Sequence, residues 1–307
     1  MVDGFGLHGL VTEDAAPSKV ADGCTWSEGP LWLPAEGVLR WSDIPNDRIM
    51  VFDPATGRTA VHRDGVEFTN GRVLLPDGGV VQCSHGRRAL EVEVDGAVRT
   101  LVDAYAGHRL NSPNDVVVHS DGSVWFSDPP YGITVAEEGH LGVREYGDHF
   151  VFRLDPATGN LRVVVADVEE PNGLAFSPDE TVLYVSDTSA ARAPDGRGNH
   201  HVRAYDIDPA APWTGAKNGR LFATVDAGVP DGFKVDERGN VWTSSAVGVL
   251  VFSPDGAHLG TVEIPEVVGN LCFGGVDGRD LYVAASTGIY RLRTEVRDAG
   301  ATLRSRR

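Results

Sequence analysis

The sequence predicts an all-β protein, a six-bladed β-propeller of four-stranded blades that forms a single domain over residues 1–307. Two observations lead to this prediction. Helical periodicity is almost absent, and short runs rich in Val, Leu, Phe and Trp alternate with turn clusters such as LPDGG, HSDGS and SPDG. A hairpin unit built from such runs also recurs six times, and radial repetition of this kind is typical of propellers.

Each repeated unit has a short polar start, an apolar strand, a tight turn, a second apolar strand and a small polar end. The six copies occupy residues 26–45, 68–86, 112–130, 170–188, 229–246 and 268–287. A third and a fourth strand usually follow, and two units share the sequence DPATG, at 53–57 and 155–159. No linker or change of composition divides the chain, so we expect one domain.

The last unit ends soon after its third strand, near Thr294. We therefore expect N-terminal residues, within 8–21, to supply the missing outer strand and close the ring. Two units carry insertions, at 131–148 and 189–200, and Gly and Pro occur among their residues. These insertions are predicted to be rim loops, where specificity is often built.

The acidic charge balance narrows the choice of partners. The chain has 44 acidic and 27 basic residues and a net charge of −17, which repels phosphate backbones, so no nucleic-acid partner is expected. No apolar run approaches the roughly 18 residues of a membrane helix, and the first 19 residues lack the basic start and apolar segment of a signal peptide. A monomer and a small homo-oligomer are both compatible with the sequence.

The three cysteines, Cys24, Cys83 and Cys272, are odd in number and far apart, with no metal-type spacing. Buried free thiols in a reducing cytoplasm are the expected state.

The start of the first strand is the informative position of each unit, because first strands line the channel of a propeller and equivalent positions converge at one face. All six residues there are acids or amides: Glu28, Asn70, Asn114, Asn172, Asp231 and Asn270. We call this set the first-strand column. A ring of carboxylate and amide oxygens is typical of a hard-cation site such as calcium, and the absence of His and Cys argues against the usual tetrahedral zinc site.

The alternative interpretation of this column is structural. Asn-Gly and Asp-Gly form turns, so a repeat could keep them only to enter the strand. That interpretation accounts for Asn and Asp but not for Glu28, which is a poor turn residue. For Asn70 and Asn270 the structural role is favoured over metal ligation.

A second column stands where the second strand returns to the same face. It contains Asp43, His85, Asp128, Asp187, Ser245 and Ser286. These residues could orient metal ligands or contact a substrate. Turn capping by Ser-Asp is the favoured role for Asp43 and Asp187, whereas His85 breaks the Ser-Asp pattern in CSHGRR and is a candidate site residue.

Five motifs resemble the family of gluconolactonases, regucalcin (senescence marker protein) and related lactonases, across almost the whole chain. They are SEGPLW around Glu28, LNSPNDVV around Asn114, WFSDPPYG at 125–132, EPNGLAFSPDE around Asn172 and PDGF around Asp231. LNSPNDVV and SDPPYG are most similar to bacterial gluconolactonases. The resemblance implies a six-bladed propeller with one divalent cation in its channel, held by Glu28, Asn172 and Asp231, with Asn114 at the metal or touching the substrate.

The sequence departs from regucalcin-like members at one position that concerns the substrate. Those members carry an Arg two residues before the Asn at 114, where this chain has Ser112. Regucalcin-type recognition of the sugar is therefore in doubt, and Arg109 and His108 are the nearest substitutes. The candidate substrate-binding residues are Asn114, Ser112, His85, Asp128 and Tyr131.

The expected reaction is the opening of a sugar lactone by metal-activated water that attacks the lactone carbonyl. A divalent cation, calcium first and zinc, manganese or magnesium as alternatives, would polarise the carbonyl. Asp231 is the candidate general base, and His85 or Asp128 could assist proton transfer. No G-x-S-x-G elbow is present to suggest a serine hydrolase.

Four other functions stay open. Propellers resembling diisopropyl fluorophosphatase use a comparable calcium site for phosphotriesters, and an acyl-lactonase would need an apolar rim. A propeller could also bind calcium for its own sake, or serve as a non-catalytic platform for proteins, although a platform needs no carboxylate in the channel. The polar sequence RAPDGRGNHH at 192–201 favours a sugar lactone.

Overall fold

The computed structural model describes residues 6–193 and 197–300. Within these ranges the strands form six antiparallel four-stranded sheets, which confirms the predicted six-bladed propeller. The strands of blade 1 are Ser27–Leu33, Val38–Asp43, Arg48–Asp53 and Arg58–Asp64. Those of blade 2 are Thr69–Leu74, Val80–Ser84, Ala89–Val94 and Ala97–Val102. Those of blade 3 are Val116–Val118, Val124–Asp128, Phe150–Asp155 and Asn160–Val165.

The remaining blades follow the same order from the channel outwards. Their strands are Pro171–Phe176, Val182–Asp187, His201–Asp206 and Lys217–Thr224; Phe233–Val235, Val241–Ser245, Gly248–Phe252 and His258–Glu263; and Val268–Gly274, Asp280–Ala285, Gly288–Arg293 and Ser18–Asp22. A short hairpin, Ala104–Tyr105 with His108–Arg109, joins blades 2 and 3 and was not predicted.

The sixth blade is closed by the N-terminal strand Ser18–Asp22, which pairs antiparallel with Gly288–Arg293. This confirms the predicted closure of the ring, and the strand lies at the C-terminal end of the expected range 8–21. Lys19 strengthens the seam, because its ammonium donates to Glu266 Oε1 at 2.8 Å and to Thr287 Oγ1 at 2.6 Å. The two ends of the described chain are thereby held in one sheet.

Within residues 6–193 and 197–298, the helical elements are single turns: the α-turn Tyr131–Thr134 and the 3-10 turns Ile44–Asn46, Ser189–Ala191 and Pro212–Thr214. Across the described ranges, no helix has the length and apolar character needed to cross a membrane. Both predicted insertions, 131–148 and 189–200, connect the second and third strands of their blades. They therefore leave the sheet at the face where the first strands begin.

The core lies between neighbouring blades rather than at the axis. Second-strand tryptophans are fully buried there, as at Trp41, Trp125 and Trp242, and each packs against apolar side chains of an adjacent blade. Removing such a ring would cost about 3–5 kcal/mol. The three cysteines are buried free thiols, as predicted.

Candidate metal centre and active site

The first strands of the six blades touch one another in sequence around the channel. At the face where these strands begin, a cavity of about 190 Å³ opens on the axis. Five members of the first-strand column line it: Glu28, Asn70, Asn114, Asn172 and Asp231. The sixth, Asn270, does not, because its Nδ2 donates to Glu28 Oε2 at 3.1 Å and its Oδ1 accepts the Leu271 amide at 2.8 Å.

Four of the column residues are followed by glycine because the next blade leaves no room for a side chain. A Cβ on Gly232 would lie 2.0 Å from Asn270 Cγ, and one on Gly173 would lie 2.4 Å from the Asp231 carbonyl oxygen. Gly29 and Gly71 meet the neighbouring blade in the same way, and among the four only Gly29 has a positive φ, +51°. Close approach of the blades, more than turn formation, explains these glycines.

Serines at the ends of the second strands hold the column in position, and sequence reasoning missed them. The Ser186 hydroxyl accepts the Gly173 amide at 2.7 Å and donates to the carbonyl oxygen of Asp231, in the next blade, at 2.8 Å. Ser127 donates likewise to the Asn172 carbonyl oxygen at 2.6 Å. The signal was the recurrence of Ser one residue before the second column.

Two carboxylates, Glu28 and Asp231, line this cavity. Glu28 is 3% exposed; its Oε2 accepts the Gly29 amide at 2.7 Å, whereas Oε1 has no hydrogen-bond partner. Burial raises the pKa of Glu28 to about 7. Burial, and then the charge of Glu28, raise the pKa of Asp231 well above its ordinary value. Both shifts arise first from the removal of the carboxylates from water.

The donor atoms suit a hard divalent cation. Glu28 Oε1 and Asn70 Oδ1 are buried oxygens without a hydrogen-bond partner, as expected of atoms that await a ligand. In the parts of the chain that the structure describes, no group of three or more His, Cys, Asp or Glu residues is placed to hold a metal ion. An oxygen set of carboxylates and amides is preferred by calcium over zinc.

Described residues of both insertions line the rim of the cavity. Tyr131 lines it, with its hydroxyl hydrogen-bonded to Thr188 Oγ1, and the Arg192 guanidinium lies 5.4 Å from the centre of the Tyr131 ring. Arg192 Nε is also 3.8 Å from Glu170 Oε1. The apolar wall consists of Trp26, Ile44, Val135, Ala191 and Val229. Part of the predicted polar segment RAPDGRGNHH, residues 194–196, lies outside the described residues.

Glu138 is a third carboxylate at the cavity that sequence reasoning missed. It comes from the first insertion, and burial raises the pKa of its carboxyl group, while the Arg192 charge opposes that effect. Its backbone carbonyl accepts a hydrogen bond from His85 Nδ1 at 3.0 Å. The only sequence signal was an acidic pair, Glu137 and Glu138, inside a predicted rim loop.

Among the other predicted substrate-binding residues, Asn114 and Tyr131 line the cavity, whereas Ser112, His85 and Asp128 do not. The Ser112 hydroxyl donates to the Pro129 carbonyl at 2.6 Å and accepts the Gly132 amide at 3.0 Å. These contacts position the insertion that carries Tyr131. Ser112 thus supports the rim instead of forming it.

Asp128 is fully buried beneath the same insertion. Its Oδ2 accepts the Asn111 amide at 2.8 Å and the Tyr146 hydroxyl. Burial raises the pKa of Asp128 to about 7, although these hydrogen bonds oppose the rise. Arg109 also lies away from the cavity, because its guanidinium donates to the Arg87 carbonyl at 3.1 Å on an exposed surface.

A larger cavity, of about 560 Å³, opens where the first strands end, at the opposite side of the channel. Its polar groups are engaged elsewhere. Arg72 donates to the Gly29 carbonyl at 2.9 Å and to Ser42 Oγ at 2.6 Å, Glu180 Oε1 accepts the Ser120 amide at 2.7 Å, and Asp277 pairs with an arginine. The convergent, unpaired oxygens are at the smaller cavity, which we take as the candidate site.

A six-bladed propeller with carboxylates and amides gathered at one end of its channel defines a class of proteins with an axial polar site. The chain belongs to a particular family of that class: residues 26–287 match the family described as SMP-30/Gluconolactonase/LRE-like region. This finding confirms the resemblance that the motifs indicated.

Individual relatives agree with this assignment. The chain is 35% identical to a gluconolactonase of Zymomonas mobilis, over 90% of this chain and 80% of that protein. It is 30% identical to a pentonolactonase of Haloferax volcanii, over 88% and 85% of the two chains. A solved gluconolactonase structure from Xanthomonas campestris superposes with a TM-score of 0.86 at 36% identity and covers 95% of this chain and 93% of its own.

Proposed function

We propose that this protein is a divalent-metal-dependent lactonase that hydrolyses sugar lactones at the smaller cavity. The observation that carries the proposal is the convergence of Glu28 and Asp231 with three amide side chains in one cavity. Relatives named gluconolactonase and pentonolactonase, which match most of the chain, support the substrate class. A protein-binding platform has no use for a carboxylate such as Glu28, which is buried in the channel with one oxygen unpaired, since such a group is costly to bury.

Glu28, Asn114, Asn172 and Asp231 are the residues that would hold the cation. Two carboxylates supply the charge that neutralises one dication, and the all-oxygen donor set favours calcium, with manganese and magnesium next and zinc last. When bound, the cation supplies Lewis acidity that polarises the lactone carbonyl and acidifies water. It also opposes the rise in the pKa of Asp231 that burial and Glu28 cause.

Asp231 serves as the general base in this proposal. It takes a proton from the attacking water, whose oxygen bonds to the carbonyl carbon while the ring C–O bond breaks. The departing ring oxygen takes up a proton, and the product is the open hydroxy acid. Glu138, which lines the same cavity and has a raised pKa, is the candidate donor of that proton.

Beside its apolar wall, the rim offers a polyhydroxylated substrate several hydrogen-bonding groups. Thr188, Glu138 and Arg192 offer hydrogen-bonding groups, and Tyr131 and Asn114 complete the contact surface. The cavity of about 190 Å³ has room for several water molecules, which a small sugar ring would displace. Ser112, His85 and Asp128 act as supports for these groups rather than as contacts.

The test is a hydrolysis screen of sugar lactones, acyl lactones and phosphotriesters, on chelator-treated protein with and without added calcium, manganese, magnesium or zinc. We expect cation-dependent opening of sugar lactones, lost in Glu28→Gln and kept in the control Glu137→Gln, since Glu137 is exposed. Preference for a phosphotriester or an acyl lactone would contradict the substrate class. Full activity after complete removal of metal would contradict the proposed metal dependence.

A further inference from the structure

We propose that Asn70 presents its side-chain oxygen to the cation as an additional ligand, and that His85 holds it in this orientation from outside the cavity. The inference rests on the cation of the proposed function. It reverses the interpretation from sequence, in which the structural role of Asn70 was favoured. Neither residue belongs to the ligand set that the family resemblance implies.

The tautomer of His85 follows from its contact with the first insertion. Its Nδ1 lies 3.0 Å from the Glu138 carbonyl oxygen, which can only accept, so Nδ1 carries the hydrogen. In the neutral imidazole with its hydrogen on Nδ1, Nε2 has a free lone pair and can only accept.

The lone pair on His85 sets the direction of the Asn70 amide. Asn70 Nδ2 lies 3.5 Å from His85 Nε2, and of the two amide ends only the nitrogen can donate to it. The amide oxygen is therefore turned away from His85. Oδ1 is buried and has no hydrogen-bond partner, and Asn70 lines the cavity beside Glu28.

The backbone of Asn70 is held independently of its side chain. The Ser42 hydroxyl donates to the Asn70 carbonyl at 3.2 Å, and the neighbouring Gly29 packs against the same oxygen. The strand position therefore needs no side-chain hydrogen bond. A merely structural asparagine would pair its oxygen within the protein, whereas the Asn70 oxygen has no protein partner and is open to a ligand in the cavity.

Asn270 shows what a structural member of the same column looks like. Its amide nitrogen donates to Glu28 and its oxygen accepts the Leu271 amide, so both ends are occupied. Sequence register gives Asn70 and Asn270 equivalent positions. Their hydrogen bonds give them different roles, with Asn270 orienting Glu28 and Asn70 free to bind.

The experiment is calcium titration by isothermal calorimetry, repeated with manganese, on chelator-treated parent protein and variants. We expect Asn70→Ala and His85→Ala each to weaken cation binding by about 10–100-fold, the usual effect of losing a ligand support. His85→Gln should stay within a few-fold of the parent, because a glutamine amide can donate to the Glu138 carbonyl and accept from Asn70. The controls Asn160→Ala and His258→Ala alter exposed side chains and should bind as the parent does.

Urea unfolding in chelator, on the same samples, separates folding from ligation. A cation affinity of Asn70→Ala equal to the parent's would overturn the proposal while leaving the proposed function intact. If His85→Ala lowers only stability, or if His85→Gln binds as weakly as His85→Ala, the orienting role of His85 is wrong. If the folded parent protein binds neither calcium nor manganese, the metal dependence in the proposed function is wrong, and this inference is wrong with it.

Discussion

Replacing Glu28 by glutamine should remove a pH-dependent destabilisation of the metal-free protein. Glu28 is buried beside Asp231 with one oxygen unpaired, and burial raises its pKa from 4.5 to about 7. In the unfolded chain the carboxyl group loses its proton near pH 4.5, but in the folded chain it keeps the proton to about pH 7. Between these values the folded state binds more protons, so stability must fall as the pH rises.

The size of the effect follows from the two pKa values. Their difference of about 2.5 pH units corresponds to about 3 kcal/mol at 1.36 kcal/mol per unit. The contribution is fully present below pH 4.5 and is lost as the pH rises through about 7. Because Asp231 has a raised pKa partly owing to Glu28, the neutral glutamine relieves both carboxylates.

The assay is urea unfolding of parent and Glu28→Gln in chelator, at intervals from pH 5 to pH 8. The free energy of unfolding of the parent, relative to the variant, should decline by about 2–3 kcal/mol across this range. The control Glu137→Gln changes an exposed carboxylate and should run parallel to the parent. Comparing the two variants cancels other buried acids such as Asp128, whose pKa is also raised to about 7.

Saturating calcium should reverse the trend. Cation binding requires ionised carboxylates and releases their protons, so the stability of the calcium-loaded parent should rise with pH instead. At a hundredfold excess over its dissociation constant, calcium adds about 2.7 kcal/mol. The free energies of unfolding of the parent and of Glu28→Gln could instead differ by a constant amount from pH 5 to pH 8 in chelator. That result would show that the pKa of Glu28 is not raised in the folded protein.

Three further substitutions test the chemistry and the packing of the site. Asp231→Asn, assayed at saturating cation with occupancy measured on the same sample, should lower kcat about 10²–10⁴-fold; near-parental turnover would make Asp231 a ligand only. Gly232→Ala places a Cβ 2.0 Å from Asn270 Cγ and should lower the urea midpoint of unfolding. The control Gly147→Ala has open space around it and should not. Equal midpoints would refute the close approach of the two blades at Gly232. Ser186→Ala removes the hydroxyl that joins two blades and should lower the free energy of unfolding in urea by about 1–3 kcal/mol. An unchanged free energy would show that the two hydrogen bonds of this hydroxyl do not stabilise the fold.

The blade number, the ring closure and the convergence of the first-strand column were all determined by the sequence alone. Strand alternation and turn residues are properties of a few consecutive residues, so a hairpin unit can be recognised from the local sequence. Because the unit repeats six times around a ring, equivalent residues lie at the same distance from the channel axis. The incomplete last unit required a strand from the N-terminus, which Ser18–Asp22 supplies. The acidic pair Glu28 and Asp231 followed from the register as well.

Tertiary structure alone decided what each polar side chain does at that register. Asn70 and Asn270 are equivalent in the repeat, yet one faces the cavity with a free oxygen and the other is saturated by its neighbours. Glu138 reaches the cavity from a rim insertion, and Asp128 is buried under that insertion. The physical reason is that these contacts join different blades and loops, so their partners depend on how irregular segments pack, which the repeat pattern does not encode.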